Sequence, residues 1–433
     1  LPKKTAKSTC NRAPPYFWTK YAGLNLSAFI ARRIAFSGEK SFGRFIIRLA
    51  TAATILSVTV MIAAMAITKG FQYTISQKIF SFWGHIRVQH YEAGKMLSAE
   101  ETPISRNDTV LRVIRTTAGV RSVNSFATKN AILKTSETIE GVLFKGVEKD
   151  FPFTRLNTFL KEGRWAHYPD SGYSNEIVLS AYTAGQLNLH LNDPVYIYFI
   201  QGNGAAPRAR KLTVSGIYKT GIEEYDKYVA IGDLRLIQRL NDWQSNEIGG
   251  YEIYVNDYHD IAKVDDAIFN RLPVKWTSRS IQEINPNIFD WLNLQDTTII
   301  LVLIIMTIVA VLNLITCLII LVLERTRMIG VLKALGARDG TIQKVFLYQG
   351  GLITLAGIIP GNLLALLLCW LQQRYGFIRL KEEMYYISKV EMKPEWWHFA
   401  LVDAITFVVC MLVLIIPTLI VKRIQPVKAI SFR

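Results

Sequence analysis

Four long stretches almost free of charge constrain this chain more than any other feature. Residues 49–67, 297–323 and 345–371 contain no ionised side chain, and 399–421 contains only Asp403. Crossing a bilayer takes roughly 20 apolar residues, and a soluble core rarely needs four such runs. The spacing predicts spanning helices over 46–68, 296–323, 345–373 and 397–421. Small residues in the first and third, among them Gly350, Gly351, Gly357 and Gly361, favour close helix approach. Pro360 and Pro417 each remove a backbone donor and are expected to bend their helices.

The formal charge of +16 invites a nucleic-acid partner, but its distribution excludes one. Lys3, Lys4, Lys7, Arg12, Lys20, Arg32, Arg33, Lys40 and Arg44 precede the first span against the single acid Glu39. Basic residues gathered before a span mark its cytoplasmic side. Four crossings return the C-terminal part to that side, where Lys422, Arg423, Lys428 and Arg433 agree. The connection between the second and third spans is likewise basic, through Arg325, Arg327, Lys333, Arg338 and Lys344. Segment 1–23 reads as a flexible cytoplasmic tail, 24–45 as an interfacial helix, and 422–433 as a cytoplasmic end. The outer loop, 374–396, nearly balances its charges, and Trp396 and Trp397 suit an aromatic belt.

Segment 69–295 therefore lies outside. Short alternating runs at 85–90, 195–200, 211–218 and 251–255 read as strands. Amphipathic patterns at 108–117, 181–187, 233–240 and 261–271 read as helices. The predicted fold class is an all-α membrane part with four spans plus an α+β domain after the first, with a subdomain inserted at about 151–210.

Catalytic motifs are lacking. The chain has no G-x-x-x-x-G-K-[ST] phosphate loop, no H-E-x-x-H, no paired C-x-x-C and no G-x-S-x-G elbow. Cys10, Cys317, Cys369 and Cys410 offer neither a disulfide framework nor metal spacing. His85 and His90 fall on opposite faces of a predicted strand and suit packing better than ligation. Glu223, Glu224 and Asp226 read as a solvated acidic turn. No metal site is expected.

One cytoplasmic segment differs. Glu324-Arg-Thr-Arg-Met-Ile-Gly-Val-Leu-Lys-Ala-Leu-Gly-Ala-Arg338 forms a short basic helix where a span ends, facing either a partner or lipid headgroups. It resembles the signature after the second span of the FtsX-like, MacB-type (type VII) ABC transporter permeases. Met328 stands where many members carry an acid. The closing Gln425-Pro-Val-Lys-Ala-Ile430 resembles the family's P-x-x-A motif, and the likeness runs from about Leu26 to the end. Within the family, Phe29-Ile-Ala-Arg-Arg33, Trp83-Gly-His-Ile-Arg-Val88 and Tyr385-Tyr-Ile-Ser388 resemble the lipoprotein-releasing permease subunits.

The resemblance implies a non-catalytic subunit in a bacterial inner membrane, with the large domain in the periplasm. It implies a second permease chain, identical or homologous, and two copies of a separate ATPase that binds ATP and Mg, with no cofactor on this chain. The helix over 324–344 would dock on that ATPase through Glu324, Arg325, Arg327, Ile329, Gly330, Leu332, Lys333, Leu335 and Gly336. A hairpin hook, Gly202, Asn203, Gly204, Ala205, Ala206, Pro207, Arg208 and Arg210, would take the periplasmic lipoprotein carrier; an ordinary surface hairpin remains the alternative. Leu56, Val60, Met61, Met65 and Ile308 would line an apolar cavity for the acyl chains of lipoprotein substrates, or simply pack against lipid. Burial of those chains is worth about 0.8 kcal/mol per methylene, so their extraction requires an energy source. Rival readings are a MacB-type efflux or mechanotransmission permease, a cell-division regulator of FtsX type, and a membrane-anchored binding protein without transport.

Overall fold

In a computed structural model, the described residues are 42–91, 102–200 and 207–418. The expected tail 1–23, most of the interfacial helix 24–45 and the end 422–433 lie outside them. The described residues divide into two compact units: one holds 42–66, 298–371 and 393–418, the other the described residues of 67–297 and 372–392.

Helix α1 runs from Phe42 to Trp83, well past the predicted end of the first span. Apolar positions continue at Phe71, Ile75 and Ile79, each buried, so the i, i+4 stripe persists after the hydropathy falls. Gly84, with φ +73°, ends it.

The α+β unit then builds one sheet of ten strands among the described residues. In chain order the elements are β1 (Ile86–His90), β2 (Ile104–Ser105), α2 (Asp108–Thr116), β3 (Val120–Lys134), β4 (Ile139–Val147), β5 (Leu160–Gly163), β6 (Glu176–Ser180), α3 (Ala181–Gln186), β7 (Pro194–Phe199), β8 (Arg208–Tyr218), α4 (Glu223–Tyr228), β9 (Val229–Asp233), α5 (Leu234–Leu240), β10 (Glu247–Ile248), β11 (Gly250–Val255), α6 (Ile261–Phe269), β12 (Trp276–Ser280) and α7 (Ile281–Ile284). β2 and β10 form a separate small ladder. Local signals start the helices: Asn107 accepts from the amides of Thr109 and Val110, Ser180 from Thr183, and Asp233 from Arg235.

β3 is the spine of this sheet. Its first half pairs with β11, its second half with β4, and residues Ala131–Lys134 also pair with β7. The pairings β3–β4, β4–β9, β9–β6, β6–β8, β8–β7 and β7–β3 close into a ring of six strands. Segment 151–210, read above as an insertion, thus supplies β5, β6 and β7 to the same sheet as the rest of the domain. A closed ring removes edges that would otherwise stay unpaired. Inward residues such as Phe144, Val195, Phe199, Leu212 and Val214 have no exposed surface.

The acidic turn is corrected in part: Glu223 and Glu224 are exposed, as a solvated reading requires, but Asp226 is not. Glu223, Glu224 and Asp226 belong to α4, and Asp226 is buried. Its carboxylate accepts from the Thr220 amide and hydroxyl at 2.8 Å each and from the Gly221 amide at 2.9 Å. A buried carboxylate must be paid for in hydrogen bonds, and these supply them.

The helical unit holds most of α8 (Pro286–Glu324), α9 (Thr326–Ala334) and most of α10 (Asp339–Tyr375). After the short α11 (Glu382–Tyr385) come α12 (Trp396–Val413) and α13 (Ile415–Thr418). α1, α8, α10 and α12 are long and apolar enough to cross a membrane. α10 continues through Pro360, whereas α12 stops at Val413, whose carbonyl would need the N–H that Pro417 lacks. Met61, Ile62, Ile299, Ile358 and Val402 form one core and Ile46, Leu318, Val322 and Phe346 another. The loop before α12 belongs with the α+β unit: Ile387 joins its core, Lys219 meets Glu382 at 2.6 Å, and Lys78 Nζ donates to the carbonyls of Thr220 and Tyr386.

Candidate functional site

α9 begins where the backbone leaves α8 at Arg325, with φ −97° and ψ 15°. One face turns inward: Ile329 and Gly330 are buried, and Leu332 and Met328 pack half-buried against the Ile46–Phe346 core. The other face carries Arg327, Val331 (46% exposed) and Leu335 (79% exposed), followed by Gly336 and Arg338. Arg327, Val331 and Leu335 are spaced i, i+4, i+8 and form a single stripe. Val331 and Arg338 were not among the predicted docking residues, although four-residue steps from Arg327 lead to Val331.

The helix end is tightly specified. Gly336, at φ +88°, lets its own amide donate to Lys333 O at 3.0 Å and the Ala337 amide to Leu332 O at 2.9 Å. This pair of bonds is the Schellman closure. Lys333, with an 11% exposed side chain, reaches Asp339 at 3.0 Å and ties α9 to α10. Glu324 accepts from the Gly43 amide at 3.2 Å, in the first described turn of α1. Arg325 is half-buried, and its Nε has no hydrogen-bond partner among the described residues. Of the nine predicted docking residues, Arg327, Leu335 and Gly336 thus face outward. Glu324, Ile329, Gly330 and Lys333 hold the helix in place.

The predicted hook sits on the β7–β8 hairpin. Its register runs from Pro194↔Thr213 to Phe199↔Arg208. Val195, Ile197 and Phe199 point into the core while Tyr196 stays 48% exposed, the alternation expected of a strand with one buried face. Gly202, Asn203, Gly204, Ala205 and Ala206 lie outside the described residues. Pro207 and Arg208 are exposed at the start of β8, and Arg210 donates to the Ala209 carbonyl at 2.8 Å. Arg208 pairs with Asp242 at 2.8 Å and also bonds the Leu240 carbonyl, so it is anchored to the domain.

The five predicted cavity residues do not share a face. Leu56 (60% exposed), Val60 (37%) and Ile308 (51%) are open on the surface of the helical unit. Met61 and Met65 are buried with Val58, Ile62 and Ile358, and the Thr307 hydroxyl contacts Met61 Sδ at 3.7 Å. Positions 56 and 60 are four apart, as are 61 and 65, but the two pairs are offset by five residues and so differ in phase by roughly 140°. Met61 and Met65 are therefore core residues, which corrects their assignment to a cavity wall.

A charged centre that the sequence reading missed lies inside the α+β unit. Lys145 (β4), Glu252 (β11) and Arg87 (β1) are all buried. Lys145 Nζ lies 2.7 Å from Glu252 and donates to the Phe82 carbonyl at 2.6 Å, in the last turn of α1. Arg87 lies 3.6 Å from Glu252 and 4.2 Å above the Trp83 ring. Cations at a helix C-terminus meet its negative dipole end. His85 is neutral packing, as expected: its Nδ1 accepts from the Val255 amide at 3.1 Å. Burial, then the charges of Arg155 and Arg121, push it down to about 4. Among the described residues, no group of three His, Cys, Asp or Glu side chains is arranged to hold a metal ion.

Comparison with known proteins agrees with this architecture. Residues 49–270 match the MacB-like periplasmic core domain and 300–426 the FtsX-like permease C-terminal part. The chain is 22% identical over 439 residues to the lipoprotein-releasing system transmembrane protein LolC of Neisseria meningitidis serogroup B, covering 94% of this chain and 99% of that one. It is 22% identical to LolC of Xylella fastidiosa over 87% of this chain and 91% of that one. It is 21% identical to LolE of Haemophilus influenzae over 87% and 92%. The periplasmic region of MacB from Actinobacillus actinomycetemcomitans is similar over 47% of this chain and 91% of that one, with 12% identity and a TM-score of 0.32. The extracellular domain of the transporter YknZ is similar over 45% and 98%, with 13% identity and a TM-score of 0.31. With four apolar helices, an α+β domain after the first, and family matches over both parts, this chain belongs to the MacB-like, FtsX-type ABC transporter permeases.

Proposed function

We propose that this permease, driven by a separate ATPase, extracts lipoproteins from the outer leaflet of a bacterial inner membrane and passes them to a periplasmic carrier. The observation that carries the reading is the near end-to-end similarity to lipoprotein-releasing subunits, 94% of this chain against 99% of the Neisseria protein. ATP and Mg would be held by the partner. The outward stripe of Arg327, Val331, Leu335 and Arg338 supports an ATPase contact: two cations flank an apolar strip on a helix locked at both ends. Leu56, Val60 and Ile308, open to the surroundings of the helical unit, suit contact with acyl chains, which need apolar area rather than directed bonds.

The test is a double variant, R327E/L335E, which reverses a charge and breaks the apolar strip without touching the inward face. Copurification of the ATPase and carrier-dependent release of lipoprotein are both expected to be lost. Retention of both would remove α9 from the coupling path. The MacB-like match to the α+β part favours one second reading, efflux through an outer-membrane duct. Recovery of an adaptor and a duct with the purified chain, in place of a lipoprotein carrier, would select it.

A further inference from the structure

Asp403 is the one acidic residue in the four apolar stretches. It lies on α12, seven residues and about 10 Å along the axis past Trp396. Asn362 of α10 donates from Nδ2 to Asp403 Oδ2 at 2.7 Å. The remaining oxygens, Asp403 Oδ1 and Asn362 Oδ1, are both buried, and neither has a hydrogen-bond partner among the described residues. Each is an acceptor, because an ionised carboxylate has no donor to offer and a carboxamide oxygen has none either. Two orphaned acceptors in one contact, within an apolar bundle, are costly.

We propose that Asp403 binds a proton at neutral pH, so that Asp403 and Asn362 form a neutral, doubly hydrogen-bonded acid–carboxamide ring clasping α12 to α10. The Oδ1–H of the acid donates to Asn362 Oδ1 while Asn362 Nδ2 donates to Oδ2, so a single proton satisfies both orphans. Among the described residues no ion pair reaches Asp403 to hold a carboxylate instead. Val58, Met61, Ile62 and Met65 of α1, Ile299 of α8, Ile358 and Ala365 of α10 and Val402 of α12 pack as one core. Residues 49–67, 297–323 and 345–371 contain no acid or base. On α12 the nearest ionisable neighbour is His398, five residues earlier toward the helix start. An ionisable group inside a span is expected to be paired or functional, and this pairing needs no counter-ion.

A sodium ion is the competing occupant, since Thr406 Oγ1, one turn beyond Asp403, is also buried without a partner among the described residues. A proton is favoured because Asn362 already commits an N–H to the carboxyl, which directs a donor into the site where a cation would need oxygens. Infrared difference spectra of the full chain in nanodiscs, wild type against D403N at neutral pH, decide the protonation. The C=O stretch of a protonated carboxylic acid is expected in the wild type, unaffected by sodium and absent from D403N. Thermal unfolding gives a second readout. D403N, which can form the same two bonds as a carboxamide pair, is expected to keep the wild-type midpoint, whereas D403L and N362L lower it by several degrees. The proposal is overturned if the acid band is missing, if D403N is as unstable as D403L, or if sodium raises the midpoint of the wild type but not of D403N. Should the leucine variants fail to accumulate, the band and the sodium titration still decide.

Discussion

Glu252 has no exposed surface, yet it faces two cations, Lys145 at 2.7 Å and Arg87 at 3.6 Å. Such a group costs desolvation, so deleting one member harms more than never having built it. E252Q leaves Lys145 and Arg87 buried without their anion and is expected to cost about 3–5 kcal/mol. The matched apolar change K145M/E252L is expected to cost less. Native-state hydrogen exchange of β4 and β11 amides in the full chain measures both, and unchanged protection in E252Q would refute the account. None of this was legible from the sequence. Residues 87, 145 and 252 are far apart in the chain, and each looks like an ordinary charge on an alternating strand until the pairing of Arg87 with Glu252 across β1 and β11 brings them together. Asp265 is similar: burial, with help from Glu283 and Asp266, pushes its carboxyl up to about 6, and α6 gives no local sign of it. Asp403 is the converse case. Its position in an apolar run was plain, but its partner Asn362 needed the packing of α10 on α12.

Between elements, small residues set how near two helices come. A Cβ on Gly361 would stand 3.0 Å from Val58 Cβ and 3.1 Å from the Ile55 carbonyl, and Thr59 Oγ1 donates to the Gly361 carbonyl at 3.1 Å. Gly361→Leu therefore pushes α10 off α1 and is expected to destabilise the solubilised chain by about 1–3 kcal/mol. Gly340, at the start of α10, has nothing within 4 Å of an added Cβ. Gly340→Ala is the control, expected to be neutral or to gain up to about 1 kcal/mol of helix propensity. Equal effects on the melting midpoint would sink the close-approach argument. The small-residue signal was visible in the sequence, as were the four spans. The ends were not. Hydropathy fails beyond residue 67 while the buried stripe Phe71, Ile75, Ile79 carries α1 on to Trp83, because a helix entering a folded domain needs only one apolar face.

At the scale of the whole molecule, the charge distribution makes a sidedness prediction. With Lys211→Cys and Arg338→Cys, a membrane-impermeant thiol reagent applied from outside is expected to label the first and spare the second. The reverse pattern would invert the topology and with it the placement of α9. The chain alone determined the four crossings, the presence of an α+β domain after the first and the identity of the basic helix at 324–338, because these rest on local composition and short-range periodicity. Only the tertiary structure decided that segment 151–210 shares a closed ring of strands with β3, β4 and β9. Tertiary packing also made Met61 and Met65 core rather than wall, and bound Glu324 to the Gly43 amide and Lys333 to Asp339, which hold α9 while Arg327 and Leu335 face out. Those outcomes depend on which distant residues meet, and a strand or helix carries no local record of its partner.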